Sequence, residues 1–204
     1  MYSSGVAEAE TSWRERKKQK TRRALADAAT RLFAKRGYEE TTIADLATAA
    51  EIAPRTFFSY FPAKEDVLFA DVDDRIARLS RLELRHSGES LPEGLRRVAR
   101  EVVDSVMADV GGEEAKIRIG IIGSRPSLQA AALLRQRAAE RMLAGRLHAA
   151  YPDELDRVIA AAVVGAFTSA IRAAAEEPGS RPSGRAAKQV VDRVRRLLEH
   201  GLEA

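Results

Sequence analysis

Apolar residues recur every three or four positions through most of the chain, the spacing of helices that bury one face. Leu25, Ala28, Ala29, Leu32 and Phe33 form one such stripe and predict a helix over 17–36. Gly37 ends it, as glycine commonly does just past a helix. Thr42 and Asp45 fit a T-x-x-D capping pattern. Ile43, Leu46, Ala47 and Ala50 then continue as a short helix, and Ala49-Ala50-Glu51-Ile52 supplies a turn. Pro54 suits the first turn of the next helix, where its missing N–H has no partner to lose. Phe57, Phe58 and Phe61 give that helix a buried side, while Arg55, Thr56, Ser59 and Tyr60 stay on or near its outer side.

The remaining chain reads as further helices over 63–85, 92–110, 113–122 and 127–150, then one ending near Glu177 and a last one over 185–200. Between them lie Ser87 to Ser90, Gly111-Gly112, Ser124-Arg125-Pro126, Tyr151-Pro152-Asp153 and the loop 178–184, all turn-forming by composition. Ile117, Ile119, Ile121 and Ile122 read equally as a strand, but no partner strand is present in the sequence. Leu128, Ala131, Leu134, Ala138, Met142 and Leu143 are expected to face inward. The fold class is therefore all-α, with about nine helices. Residues 1–13 read as a disordered tail, 14–64 as one domain and 65–204 as a second.

With 204 residues, 45% hydrophobic and 31% charged, the chain has the composition of a soluble globular protein with a real core. No apolar run approaches the roughly 20 residues that span a bilayer. The start lacks a signal-peptide pattern. Absence of cysteine removes disulfides and thiolate metal sites. The expectation is a cytoplasmic protein. His86, His148 and His200 lie far apart, and no H-E-x-x-H, G-x-S-x-G or phosphate-binding glycine loop is present. Neither an enzyme, a cofactor nor a metal centre is expected.

Charge placement is more informative than the net +4. Residues 1–64 carry 12 Lys or Arg against 8 Asp or Glu, and residues 65–204 carry 22 of each. A basic end on a neutral body points to a polyanion partner. Its densest part is Arg14, Arg16, Lys17, Lys18, Lys20, Arg22 and Arg23, against Glu15 alone. Such a run is either a solvated arm or a set of phosphate contacts. A membrane-surface helix fits less well, because the apolar stripe already has a use in the core.

Two short helices joined by a tight turn, the second polar outside and aromatic inside, are an ordinary helix pair or a helix-turn-helix. The run GYEETTIADLATAAEIAPRTFFSYFPAKEDVL, Gly37 to Leu68, resembles the DNA-binding signature of the tetracycline-repressor (TetR) family. The matching positions are Gly37-Tyr38, Thr41-Thr42, Ile43, Leu46-Ala47, Ala50, Thr56, Phe58, Tyr60-Phe61-Pro62 and Lys64-Glu65. Glu51 departs from the pattern in place of a turn glycine, and two of the matching positions carry variants, Phe58 for the usual tyrosine and Tyr60 where histidine is frequent. Glu51 implies a turn that avoids left-handed backbone or carries strain.

The resemblance implies a three-helix DNA-reading head on a helical ligand-binding and dimerisation body. Arg55 suits guanine, since its planar fork matches O6 and N7. Thr56 and Phe57 are candidates for a thymine methyl or a phosphate. Ser59 lies on the outer side, and Thr42, Tyr60 and Lys64, with Lys17, Lys18, Lys20 and Arg22, are candidates for the DNA backbone. Small residues in AAAVVGA, including Ala162, Val163 and Ala166, let another helix approach. Val190, Val194 and Leu197 recur at nearly the 3.5-residue repeat of a helical seam. These positions are either buried in one chain or, as the resemblance implies, form a homodimer bundle. Val103, Val106, Met107, Ile119, Ile122, Leu134, Met142 and Phe167 are plain core or line a pocket for a small hydrophobic effector. The segment APRTFFSYFPAKEDVLFAD is similar to regulators of mycofactocin systems, which implies fatty acyl-coenzyme A as an effector class. The expected function is a ligand-responsive repressor of a near-palindromic operator. The alternatives are an activator of the same fold, or a helical adaptor whose basic end binds membrane or a partner protein.

Overall fold

The structure, a computed structural model, describes residues 3–110 and 112–176, with side chains placed over 17–106 and 112–173. Every regular element among the described residues is helical. In order they are α1 (Ser3–Arg36), α2 (Ile43–Ala49), α3 (Pro54–Phe57), a 3-10 turn (Glu65–Phe69), α4 (Ala70–Leu79), α5 (Leu91–Val110), α6 (Glu113–Gly123), α7 (Pro126–Ala150) and α8 (Arg157–Glu176). The isoleucine-rich run is thus the helix α6. The loop 178–184, the final helix over 185–200 and with it Val190, Val194 and Leu197 lie outside the described residues.

Helix α1 begins at Ser3 and so extends through most of the segment expected as a tail. Ala7, Glu8, Ala9 and Glu10 are strong helix formers by intrinsic propensity. No proline lies between Ser3 and Gly37 to break the helix.

Among the described residues the chain divides into two compact units, residues 3–73 with 112–129, and residues 74–110 with 130–176. The first unit therefore continues past residue 64. Val67, Leu68, Phe69 and Ala70 are buried, and both the 3-10 turn and α6 pack on α1. Leu25, Ala26, Ala29 and Phe33 of α1 supply one side of its core, and Leu46, Ala47, Phe57 and Phe61 supply the other. Full burial of one such aromatic or leucine contributes about 1.5–3 kcal/mol.

The core of the second unit is Leu84, Leu91, Leu147, Tyr151, Leu155, Ala160 and Val163, flanked by Leu82, Leu95, Val98, Ala150, Ile159 and Val164. Leu134 and Ala138 do not face inward as expected. Leu134 is 69% exposed and Ala138 is exposed too; in this unit the buried row of α7 is Ala144, Leu147 and then Tyr151 just past its end, while Leu128, in the first unit, is buried as expected. Helix α4 stops at Leu79 rather than continuing to Arg85. The Arg146 guanidinium donates to Leu79 O at 2.6 Å and Leu82 O at 2.5 Å, adding donors to carbonyls at and just past the helix end, where Leu82 N also donates to Leu79 O at 3.3 Å. Helix α5 starts with a box in which the Glu93 carboxylate accepts from Ser90 N at 3.0 Å and Ser90 Oγ at 2.6 Å.

Candidate nucleic-acid interface

The helix-turn-helix is built from local interactions. Thr42 N donates to Asp45 Oδ2 at 2.9 Å, and Asp45 N donates to Thr42 Oγ1 at 3.2 Å. This is the reciprocal capping box expected from T-x-x-D. The Thr42 hydroxyl also donates to Asp45 Oδ2 at 2.6 Å. These bonds, with Arg36 at 3.2 Å, hold the Asp45 carboxyl below its usual range. Thr42 is exposed, but its hydroxyl is engaged in starting α2.

Helix α2 ends in a Schellman turn. Ile52 N donates to Ala47 O at 2.9 Å, and Glu51 N donates to Thr48 O at 3.1 Å. Glu51 is left-handed, at φ 55, so the turn takes the second of the two expected courses. A non-glycine residue there costs about 1–2 kcal/mol, and the glycine variant loses part of that gain in unfolded-state entropy. Glu51→Gly is therefore expected to raise stability by about 0.5–1 kcal/mol, read as a higher Tm. An unchanged or lower Tm would mean that the glutamate stem makes compensating contacts.

Helix α3 is short. Pro54 opens it, Ala53 caps it in extended backbone, and regular helix ends at Phe57, after which turns continue to Phe61. Its aromatic residues separate. Phe57 and Phe61 are fully buried, whereas Phe58 is 54% exposed. Two expectations are corrected together: Phe57 cannot touch DNA, and Phe58 is not on the buried side. Residues 57 and 61 stand four apart and share a face, while residue 58 is turned about 100° away. Arg55 and Ser59 are exposed, and Thr56 and Tyr60 are half-buried.

The basic residues also separate. Lys17, Lys18, Lys20 and Arg23 are exposed on α1. Arg22 is not a free surface cation as expected. Its guanidinium donates to Ala70 O at 3.0 Å, pairs with Asp73 at 3.4 Å and lies 4.7 Å from the Phe61 ring centre. Lys64 is similarly engaged, donating to Tyr38 O at 3.0 Å and Thr41 O at 3.2 Å. Its ammonium stands 4.3 Å from the Tyr38 ring centre, and the Arg125 guanidinium stands 5.1 Å from it. Burial first, then Glu65 and Glu39, pushes the Tyr38 phenol up to about 12. Arg22 and Lys64 thus hold the head together, whatever else they touch.

Sequence reasoning missed Arg118. It lies on α6 with its side chain 7% exposed, paired with Asp27 at 3.2 Å and with Asp71. It also donates to Thr30 Oγ1 at 3.0 Å. One arginine inside the apolar run IRIGII was the available signal, because a lone charge among buried residues needs partners.

The other candidates differ in burial. Val103 is buried, Val106, Ile122, Met142 and Phe167 are half-buried, and Ile119 and Leu134 are 55% and 69% exposed. The Met107 side chain lies outside the described residues. Ile119 and Ile122 belong to the first unit and the others to the second. On α8, Val163 belongs to the internal core and is not available to a partner chain, a correction set by helix rotation. Val158, Ala161, Ala162 and Ala166 face outward. No helix among the described residues is long and apolar enough to cross a membrane.

The sequence model of bacterial regulatory proteins of the tetR family matches residues 25–70. That of the MftR C-terminal domain matches residues 89–203. The HTH-type transcriptional regulator TcmR of Streptomyces glaucescens is 34% identical over 149 residues, covering 70% of this chain and 66% of its own length. The HTH-type transcriptional regulator EthR of Mycolicibacterium smegmatis is 32% identical over 97 residues, 48% of this chain and 44% of its own. The chain thus spans from under half to about two thirds of these relatives. Among solved structures, NalD of Pseudomonas aeruginosa, the secondary repressor of a multidrug efflux pump, superposes with TM-score 0.59 at 18% identity. The match covers 87% of this chain and 96% of that one, a likeness of fold alone.

Proposed function

Because the chain belongs to the TetR family of bacterial regulatory proteins, whose members are DNA-binding transcriptional regulators and not enzymes, we propose that it acts as a homodimeric, ligand-responsive repressor of a near-palindromic operator. The observation that carries this reading is the presentation of Arg55 and Ser59, both exposed, on a short helix whose Phe57 and Phe61 are locked in the core. Placed in the major groove, α3 directs Arg55 at guanine O6 and N7. Thr56, Ser59 and Tyr60 lie around it, while Lys17, Lys18 and Lys20 supply sequence-independent attraction to phosphates.

The exposed small face of α8, with Ala162 and Ala166, suits close approach of the same helix from a second copy. Two-fold symmetry then sets the half-sites about one helical turn or slightly more apart. A hydrophobic effector bound by the body releases DNA only to the extent that it binds the DNA-incompetent state better. Fatty acyl-coenzyme A thioesters are the first class to try.

Purified protein incubated with sheared genomic DNA at near-physiological salt is expected to retain fragments sharing a near-palindrome. Retention without sequence enrichment, lost as salt rises, would leave only nonspecific phosphate binding. Arg55→Ala is expected to relax base preference at one position per half-site and to cost about 1–3 kcal/mol there. A uniform loss of affinity with preference intact would remove the guanine role.

A further inference from the structure

On the proposed placement of α3 in the major groove, on which this rests, we infer that Phe58 reads a thymine 5-methyl group next to the base read by Arg55. Phe58 is 54% exposed. It is held rather than loose, because its ring meets the buried Phe57 ring edge-on at 5.7 Å and 87°. Phe57 is fixed in turn by Phe61, at 5.7 Å. One side of the Phe58 ring is therefore anchored to the core and the other is open.

The ring has no hydrogen-bonding atom, so neither a phosphate oxygen nor a base-edge donor or acceptor rewards it. Its surroundings fit a polyanion: Arg55 stands three residues earlier, Ser59 follows it and the basic part of α1 belongs to the same unit. A partner that is anionic overall yet offers a small apolar group to an aromatic edge is the major groove at a thymine. Phe58 keeps right-handed helical backbone, at φ -65 and ψ -14. Arg55 and Phe58 therefore stay neighbours at i and i+3, and the methyl they select lies within a step or two of the guanine.

The test uses the full chain and the operator recovered from genomic DNA. Each thymine of a half-site is replaced in turn by deoxyuridine, which removes only the methyl, and binding is followed by fluorescence anisotropy at fixed salt. For the unaltered protein, one substitution per half-site is expected to weaken binding about three- to fivefold, the scale of one buried methyl group. Phe58→Ala is expected to weaken binding to the intact operator by at least as much and to become indifferent to deoxyuridine at that position. Sensitivity elsewhere should persist, and Tm should fall only modestly, because about half of the side chain lies outside the core. Undiminished deoxyuridine sensitivity in Phe58→Ala, or no sensitive thymine in the unaltered protein, overturns the assignment while leaving operator binding intact. Failure to recover any operator overturns the placement of α3 itself, and the role of Phe58 with it.

Discussion

Arg118→Ala is expected to destabilise the protein by about 3–5 kcal/mol, the cost of removing one partner from a buried ionic cluster. The Arg118 side chain is 7% exposed, and that of Asp71, one of its two carboxylate partners, is 13% exposed. Asp27, the other, is 35% exposed and can return to water at little cost. Asp71 cannot, so the truncation leaves an anion in a place built for a pair. It also frees the Thr30 hydroxyl, although that group keeps its bond to Ala26 O at 2.7 Å. Urea unfolding at fixed chain concentration should show a lower midpoint with little change in slope.

Two controls separate charge pairing from packing. Arg118→Lys keeps the charge but loses the fork that reaches Asp27, Thr30 and Asp71 together, and it should fall between the alanine variant and the unaltered protein. Combining Arg118→Leu with Asp71→Leu should cost less than the two single changes added, since neither charge is then stranded. A loss under about 1 kcal/mol for Arg118→Ala would mean that water reaches the carboxylates and that the cluster behaves as a surface pair. Asp27 is on α1, Asp71 on α4 and Arg118 on α6, so the same variant should loosen the seat from which α2 and α3 are presented.

The legible parts of this molecule were those fixed by neighbours in sequence. T-x-x-D became a capping box, Pro54 opened α3, Gly37 ended α1, and Gly112 and Ser124 bracketed α6. Phe57 and Phe58 show where pattern was underused: the four-residue step from 57 to 61 already favours that pair for the core. The roles of Arg22, Lys64 and Arg118 were not legible. Their partners lie 23 to 91 positions away, and a basic run carries no mark of which cations the fold turns inward. The end of α4 depended on Arg146, 67 positions from Leu79. Val163 was misplaced because α8 is rich in alanine and valine around its whole circumference, so its rotation follows from packing rather than from periodicity.

Gly94→Ala sets two effects against each other, and the steric one is expected to win. In the first turn of α5, alanine is the better helix former by about 1 kcal/mol. A Cβ at residue 94, however, would lie 2.0 Å from the Tyr151 hydroxyl oxygen and 3.1 Å from Tyr151 Cζ. The ring has little room to give. Tyr151 is fully buried, its hydroxyl donates to Leu84 O at 3.3 Å, and the Arg85 guanidinium stands 4.9 Å from its ring centre. Beside it, Arg97 grips Glu89 through bonds of 2.9 and 2.8 Å. These bonds and one from His86 N hold the Glu89 carboxyl at about 2. Overpacking a closed site costs about 1–3 kcal/mol and sometimes more, and an overlap this deep belongs at the upper end. The net expectation is a loss of about 2 kcal/mol, seen as a lower Tm at fixed chain concentration. Tyr151→Phe alone should cost about 1 kcal/mol for its hydrogen bond. Added to Gly94→Ala, it removes the overlapping atom, so the double variant should be more stable than Gly94→Ala alone. If Gly94→Ala instead raises Tm, Tyr151 has another rotamer within reach, and helix propensity rather than contact with the ring governs that turn.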